Sequence, residues 1–366
     1  MASFEKAKNG TWSVRFRAIE NFEVKNKRLS PFKTKKDAEH AYLEYKKQSE
    51  AEKQTKISRT SAKLTFTEIY EEFRDYKQSR VKQSSFFDWD SKTKLHILPF
   101  FSNYIVAEIS PQLLLKWQNS IDKYSYKYKS CLRIYLSGIL KYAHRYYNIP
   151  NQLVNVEGFK NNAEKIQEMN IWSEEEFSKF INYIDRLDYK AYFSALYLTG
   201  CRKGELLATN WNDWDLTQNE LNINKNITRK VYGKSWTITT PKNIYSNRKI
   251  SMPQPLSDLM KEYKKWCNEN KKEQTFVFGG ASPFADSNID RYFKEKCAEA
   301  NIKKIRIHDF RHSHASLLIS KGASIVAVAK RLGHKDIEQT LNTYSHLFKP
   351  DEESLLGKLN GLKIQI

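Results

Sequence analysis

At 366 residues, with 62 Lys and Arg against 42 Asp and Glu and a formal net charge of +20, the chain is too long for one ordinary domain and too basic to favour small acidic ligands. Apolar residues are frequent enough for real cores, and the cationic excess runs along the whole sequence, which favours a polyanionic partner, nucleic acid above all. Cys131, Cys201, Cys267 and Cys297 are scattered with no C-x-x-C pair, against a zinc ribbon or a disulfide framework, and no apolar run is long enough to cross a membrane or act as a signal, so a reducing cytoplasm is expected.

The first sixty residues predict a small sheet backed by a helix. N-G-T-W-S-V-R-F-R-A-I, residues 9–19, reads as a strand after an Asn-Gly turn; further strands are expected near 21–30 and 31–34. In K-K-D-A-E-H-A-Y-L-E-Y-K-K, Ala38, Ala41, Tyr42 and Tyr45 share one helical face. Residues 1–63 hold sixteen Lys or Arg against eight Asp or Glu. The polar stretch 49–61 reads as a linker or an extended helix end.

From Leu64 the spacing turns helical. L-T-F-T-E-I-Y-E-E-F-R-D-Y, the segment around 85–98, S-P-Q-L-L-L-K-W with Ser110 as cap and Pro111 as first residue, and a helix near 128–147 predict a four-helix bundle. The last helix carries Lys129, Arg133, Lys141 and Arg145 at turn-like intervals. An Asn-rich stretch broken by Pro and Gly, 148–165, marks a linker between domains. Ser173 and Glu176 form a capping box that opens a mainly helical region. Its exception is a pair of alternating strands around Tyr232 and Gly233, with a third near 248–251. The expected architecture is multidomain α+β: residues 1–60 a three-stranded sheet plus helix, 64–155 a helical bundle, and 170–366 a mainly helical domain with a small antiparallel sheet.

Six side chains of the last domain suit one chemistry. They are Arg202 in T-G-C-R-K-G-E-L, Lys242 in T-T-P-K-N, His308 and Arg311 in H-D-F-R-H, His334 in L-G-H and Tyr344 in N-T-Y-S-H. Arginine forks bind phosphate oxygens, fixed donors stabilise charge that builds at an attacked phosphorus, and a phenol can act as nucleophile. Arg202 and Arg311 suit the non-bridging oxygens. His308, three residues before Arg311 on one helix face, can bond a phosphate oxygen or help accept the Tyr proton, and His334 can donate a second bond. Lys242, at a strand-end turn where Lys234 or Lys249 are its competitors, suits protonation of a leaving 5′ oxygen. Glu205 is an expected partner that positions Arg202, and Cys201 a buried packing residue. His308 and His312 at i and i+4, with Asp309 between, loosely imitate a zinc-hydrolase motif, but Asp replaces its Glu, Arg311 would sit beside the cation and no third ligand is evident.

Over residues 170–348 these motifs, in this order, resemble the tyrosine recombinases, the phage-integrase family of site-specific DNA recombinases. The resemblance implies that Tyr344 attacks double-stranded DNA to form a 3′-phosphotyrosine, which conserves the bond energy so that neither ATP, metal nor other cofactor is needed. It implies an N-terminal module (1–60) that reads arm-type sites through a sheet in the major groove, with Arg15, Arg17 and Lys27 as contacts. Residues 64–155 would then be a SAM-like core-binding domain whose basic stripe, Lys129, Arg133, Lys141 and Arg145, faces the duplex. In the family a tail such as 351–366, with Leu355, Leu356, Leu359, Leu362 and Ile364, packs on a neighbouring protomer and holds a homo-tetramer together on DNA. His346 reads as flanking. The expected activity is integration and excision of a mobile element, such as a phage, through a Holliday junction, with an excision factor and a host DNA-bending protein as candidate partners. The rivals are a type IB topoisomerase-like nicking and resealing enzyme, disfavoured by the arm module and tail, and a non-catalytic DNA-binding protein of the same fold, disfavoured because all six positions are filled.

Overall fold

Gly10, at φ 85°, closes the turn that joins β1 (Ser3–Lys6) to β2 (Trp12–Glu20), and β3 (Glu23–Phe32) completes an antiparallel sheet in the order β1-β2-β3. The computed structural model describes residues 2–7, 10–20, 23–61, 63–161, 170–240 and 244–345, and the chain divides into two units, 1–164 and 165–366. Directly opposed residues of an antiparallel pair point to the same side. Phe16 faces Lys27 across the ladder and Arg15 faces Arg28, so alternate residues divide into two faces. Val14 and Phe16 lie under α1 (Lys35–Ser61), where the Phe16 ring is 4.9 Å from the rings of both Tyr42 and Tyr45 and Ala38 is buried.

One expectation changes here. The third strand is not residues 31–34 but the four-residue β1, too short to show an alternation; β3 itself runs on to Phe32. Of the two readings of 49–61, a linker or an extended helix end, the second holds, since the stretch continues α1 as helix.

In the same unit, α2 (Phe66–Gln78) opens with a capping box between Thr65 and Glu68, and α3 (Gln83–His96) leads through the short α4 (Leu98–Phe101) to α5 (Pro111–Ser120). The Ser110 hydroxyl accepts from the Leu113 N–H, as its sequence position suggests. α6 (Tyr126–Tyr147) closes the bundle over a core that includes Phe66, Trp89, Phe101, Trp117, Leu132 and Leu136. One charge lies inside it. Asp90 is fully buried and accepts from the Tyr70 hydroxyl, from Arg74 Nε at 3.2 Å and from Lys94 Nζ at 3.0 Å.

The second unit begins with α7 (Glu174–Asn182), whose Ser173–Glu176 capping box forms as expected, and α8 (Leu187–Thr199), buried almost all round. α9 (Lys203–Leu207) precedes β4 (Trp214–Asp215), β5 (Glu220–Ile223), β6 (Asn226–Thr228), β7 (Thr237–Thr239) and β8 (Arg248–Ser251). The hairpin β6-β7 turns at Gly233 as expected, but β8 does not join it. Instead β8 pairs with β5 in a separate antiparallel sheet, β4-β5-β8, because the sequence between them folds away as the hairpin. The helices α10 (Gln254–Glu269), α11 (Asp286–Glu299), α12 (Asp309–Ser320), α13 (Ile325–Leu332) and α14 (Ile337–Tyr344) complete the unit around Trp172, Phe180, Phe193, Phe293 and Phe310. Among the described residues no helix is long and apolar enough to cross a membrane.

Deleting Asp90 removes the acceptor of the buried Tyr70 hydroxyl and leaves a space behind it, a cost of about 1–3 kcal/mol. Asp90→Ala is therefore expected to lower the thermal unfolding midpoint of the first unit by several degrees while Asp75→Ala, an exposed control, leaves it in place; equal midpoints for the two variants would contradict the role given to Asp90.

Candidate active site

α8 stops at Gly200, whose φ of 66° supplies the left-handed turn of a helix C-cap. A Cβ at this position would lie 2.5 Å from the His314 ring, so the position is closed to side chains. The turn aims Arg202 out of the helix end. Its N–H donates to Glu205 Oε2 at 3.0 Å and its Nη1 to Oε1 at 2.7 Å. Glu205, only 3% exposed, also accepts Arg248 Nη2 at 2.9 Å from β8, so one carboxylate orients two guanidiniums. Burial alone would raise the Glu205 pKa; Arg248 and Arg202 outweigh it and hold the carboxyl below its ordinary 4.5. Gly204 lets α9 lie directly on β6, since a Cβ there would meet the Ile227 carbonyl oxygen at 2.6 Å.

Arg311 is 3% exposed and bonded to backbone: Nη1 donates to the Gly200 carbonyl at 2.9 Å and Nη2 to the Leu332 carbonyl at 2.6 Å. Both carbonyls end helices, α8 and α13, where the aligned peptide dipoles are negative. Burial, then the charge of Arg202, press the Arg311 pKa downward, a strain on the charged form that an anion would relieve. His308, at the start of α12, stays open to solvent at one edge. The protein around its ring, then His312, Arg311 and Arg202, push its pKa down to about 4. His334 follows α13, with Nδ1 2.7 Å from the Thr340 hydroxyl; burial, then Arg311 and Arg202, hold it at about 4.

Tyr344, the last residue of α14, is 1% exposed and packs with Ala315, Ile319, Val328 and Leu332. Burial raises its pKa to about 12, against the pull of Arg311. Its hydroxyl lies 2.7 Å from His312 Nδ1. Five of the six expected residues thus meet around one locus. Lys242, like His346 and the tail, lies outside the described residues. Of its competitors, Lys249 pairs with Glu220 at 3.0 Å and Lys234 is exposed at the hairpin turn.

Three site residues were not legible as such. Arg248 enters through a strand pairing that joins distant segments. His312 was weighed only against a metal; its i, i+4 spacing from His308 was the usable signal, and their rings are 5.2 Å apart. Among the described residues no third His, Cys, Asp or Glu joins them to form a metal-sized cluster. The third is His314, buried behind the site: its Nδ1–H donates to the Tyr197 carbonyl at 2.7 Å while Nε2 accepts Arg331 Nε at 2.9 Å, which fixes the ring as a neutral strut.

The expected basic contacts of the first unit separate. Arg15 is exposed beside Glu5 on the open sheet face, and the side chain of Arg17 lies outside the described set. Lys27 belongs to the other face: its register partner is Phe16, and its ammonium lies 5.1 Å from the centre of the Tyr45 ring. On α6, Arg133 points inward, donating to the Leu153 and Val156 carbonyls at 3.1 and 2.6 Å, and Lys129 is held by Asp122 and the Phe159 ring. These two tie α6 to residues 153–159 instead of lying free. Lys141 and Arg145 are exposed.

Residues 170–350 match the Phage integrase family and residues 65–121 the phage integrase N-terminal SAM-like domain. The ICEBs1 integrase of Bacillus subtilis is 33% identical over 206 residues, 54% of this chain and 55% of that protein, so the chain spans about half the length of this relative. The integrase of Staphylococcus phage L54a is 27% identical over 337 residues, 82% of this chain and 93% of that protein. A lambda integrase tetramer bound to a Holliday junction shares the fold at a TM-score of 0.58 and 16% identity, over 91% of this chain and 95% of that one. This fold, with a tyrosine set among arginines and histidines, is that of a tyrosine recombinase. The chain belongs to the phage integrase family.

His308 and His334 at about 4, His314 at about 3 and His312 below its ordinary 6.5 all hold less proton in the fold than in the unfolded chain. Their stabilising contribution is complete above the ordinary value of 6.5 and is lost progressively as pH falls toward the folded values. The melting temperature of the second unit is therefore expected to fall between about pH 7 and about pH 5; a midpoint that rises or stays level across that range would contradict it.

Proposed function

We propose that this chain is a site-specific DNA recombinase that integrates and excises a mobile element by way of a phosphotyrosine and a Holliday junction. The observation that carries the reading is the Tyr344 hydroxyl buried against α12, the helix that His308 caps and that bears Arg311, with the charge of Arg202 acting on both. Arg202 and Arg311 clamp the non-bridging oxygens of the scissile phosphate, His308 and His334 add hydrogen bonds as charge builds, and the Tyr344 oxygen attacks in line. With the Thr340 hydroxyl donating to Nδ1, His334 presents Nε2–H to the phosphate. Lys242 protonates the departing 5′ oxygen. The free 5′ hydroxyl of a second duplex then attacks the phosphotyrosine, and no cofactor enters either step.

Residues 1–60 serve as an arm-type DNA-binding domain, 64–155 as the core-binding domain and 170–366 as the catalytic domain. The open face of the sheet, with Arg15 and Arg28, and the exposed end of α6, with Lys141 and Arg145, are the DNA-facing surfaces. The chain works in the cytoplasm as a homo-tetramer on DNA, the assembly carried by the lambda integrase structure, with an excision factor and a DNA-bending protein setting direction.

The deciding experiment incubates the chain with a nicked duplex bearing the element's end sequences in EDTA and resolves the products on a denaturing gel. A covalent adduct is expected from the native chain and none from Tyr344→Phe, with DNA affinity retained; an adduct that survives in that variant would remove Tyr344 as nucleophile. Relaxation of plasmid without such a site would favour the topoisomerase reading.

Each phosphate-neutralising cation adds about 0.9 to the dependence of log K on log salt. Lys141→Ala combined with Arg145→Ala is expected to weaken binding across sequences and to flatten that slope by about 2, measured by anisotropy titration. An unchanged slope would take α6 off the duplex.

A further inference from the structure

The cleavage step needs a group to receive the phenolic proton of Tyr344, and the sequence offers His308 either for that or for a phosphate oxygen. The position of His308 suits the phosphate. Its ring lies 5.2 Å from that of His312, at the solvent-open start of α12 among Arg202 and Arg311, where an incoming phosphate is met. His334 has Nδ1 engaged by Thr340. Among the described residues, the Tyr344 hydroxyl is hydrogen-bonded with His312 Nδ1, at 2.7 Å.

We propose that His312 is the general base of the cleavage step: its Nδ1 accepts the Tyr344 phenolic proton as the oxygen attacks phosphorus. This rests on the reading of Tyr344 as nucleophile. A phenol this deeply buried remains protonated near neutral pH, since burial raises its pKa to about 12. The imidazole is neutral there, because burial lowers its pKa while Asp309 opposes and Arg311 and Arg306 add to the fall; His308, His334 and Tyr344 are the other titratable groups around it. Two neutral partners 2.7 Å apart can share the hydrogen in either direction, according to the imidazole tautomer; the reactive arrangement has the phenol O–H donating to an unprotonated Nδ1, with the imidazole hydrogen on Nε2.

The step balances. The Tyr344 oxygen bonds to phosphorus as the bond from phosphorus to the 5′ oxygen breaks; the phenolic proton passes to Nδ1, and the 5′ oxygen takes a proton from the general acid. In rejoining, the imidazolium returns its proton to the departing phenolate. Placing base and nucleophile on α12 and α14, packed together through Ala315 and Ile319, keeps their separation fixed before DNA arrives.

The test measures adduct formation on the nicked end duplex across pH, using the full chain, His312→Asn and Tyr344→Phe. Asparagine keeps an acceptor near the position of Nδ1 but takes no proton. The expected result is a loss of about 10²–10⁴ in rate near neutral pH with DNA affinity unchanged, shrinking as pH rises and solvent base removes the phenolic proton instead. A rate restored by asparagine, or a deficit that does not change with pH, would overturn the assignment and leave His312 a packing residue. The native chain supplies an independent reading: its rate should level off above the folded pKa of His312, whereas a steady rise up to alkaline pH would also overturn it. An adduct that persists in Tyr344→Phe defeats the nucleophile and the base together, while loss there with a native rate in His312→Asn defeats the base alone.

Discussion

The second unit depends on how it keeps the charge of Arg311 out of water. A guanidinium at this depth ordinarily needs a carboxylate, and the one buried nearby, Glu205, is already committed to Arg202 and Arg248. Arg311 is held by backbone instead. The carbonyls of Gly200 and Leu332 are the unpaired ends of two helices, and a cation between them satisfies both while drawing on both dipoles. The geometry of α8, α12 and α13 is thereby joined to the direction of one side chain. A guanidinium carries five N–H donors, and the two given to these carbonyls leave three for an oxygen-rich ligand.

The neighbouring groups extend the same economy. Arg248 is anchored to the Arg331 carbonyl at 2.8 Å, and Arg331 in turn reaches His314, Ser251 and Leu198. Arg202 is therefore oriented by a carboxylate that is itself oriented from β8, and the glycines at 200 and 204 let these segments approach closely enough for it to happen. Rigid placement of this kind lets cations act on a transition state without rearranging at the moment of reaction.

Much of this was legible in the sequence where the information is local. The Ser173 and Ser110 caps, the helical face of Ala38, Tyr42 and Tyr45, the hairpin at Gly233 and the strand at 248–251 each follow from a few adjacent residues. The grouping of Arg202, His308, Arg311, His334 and Tyr344 came from recognising motifs whose order is distinctive. What sequence could not supply is the identity of distant partners. Residue spacing sets Arg133 on the same stripe as Lys141, yet only the fold brings the Leu153 and Val156 carbonyls to meet it. Lys27 likewise needed the register with Phe16, and β8 needed β5, before their surroundings could be known.

The shortage of carboxylates around Arg311 leaves this locus with an excess of positive charge. Without a bound anion, Arg202, Arg248 and Arg311 repel one another, and burial first, then the charges of Arg311 and Arg202, hold His334 in the uncharged state. An anion in their midst would oppose that field and relieve part of the pressure on the charged form of Arg311. The positive charge held at this depth is in this sense electrostatic tension stored in the fold.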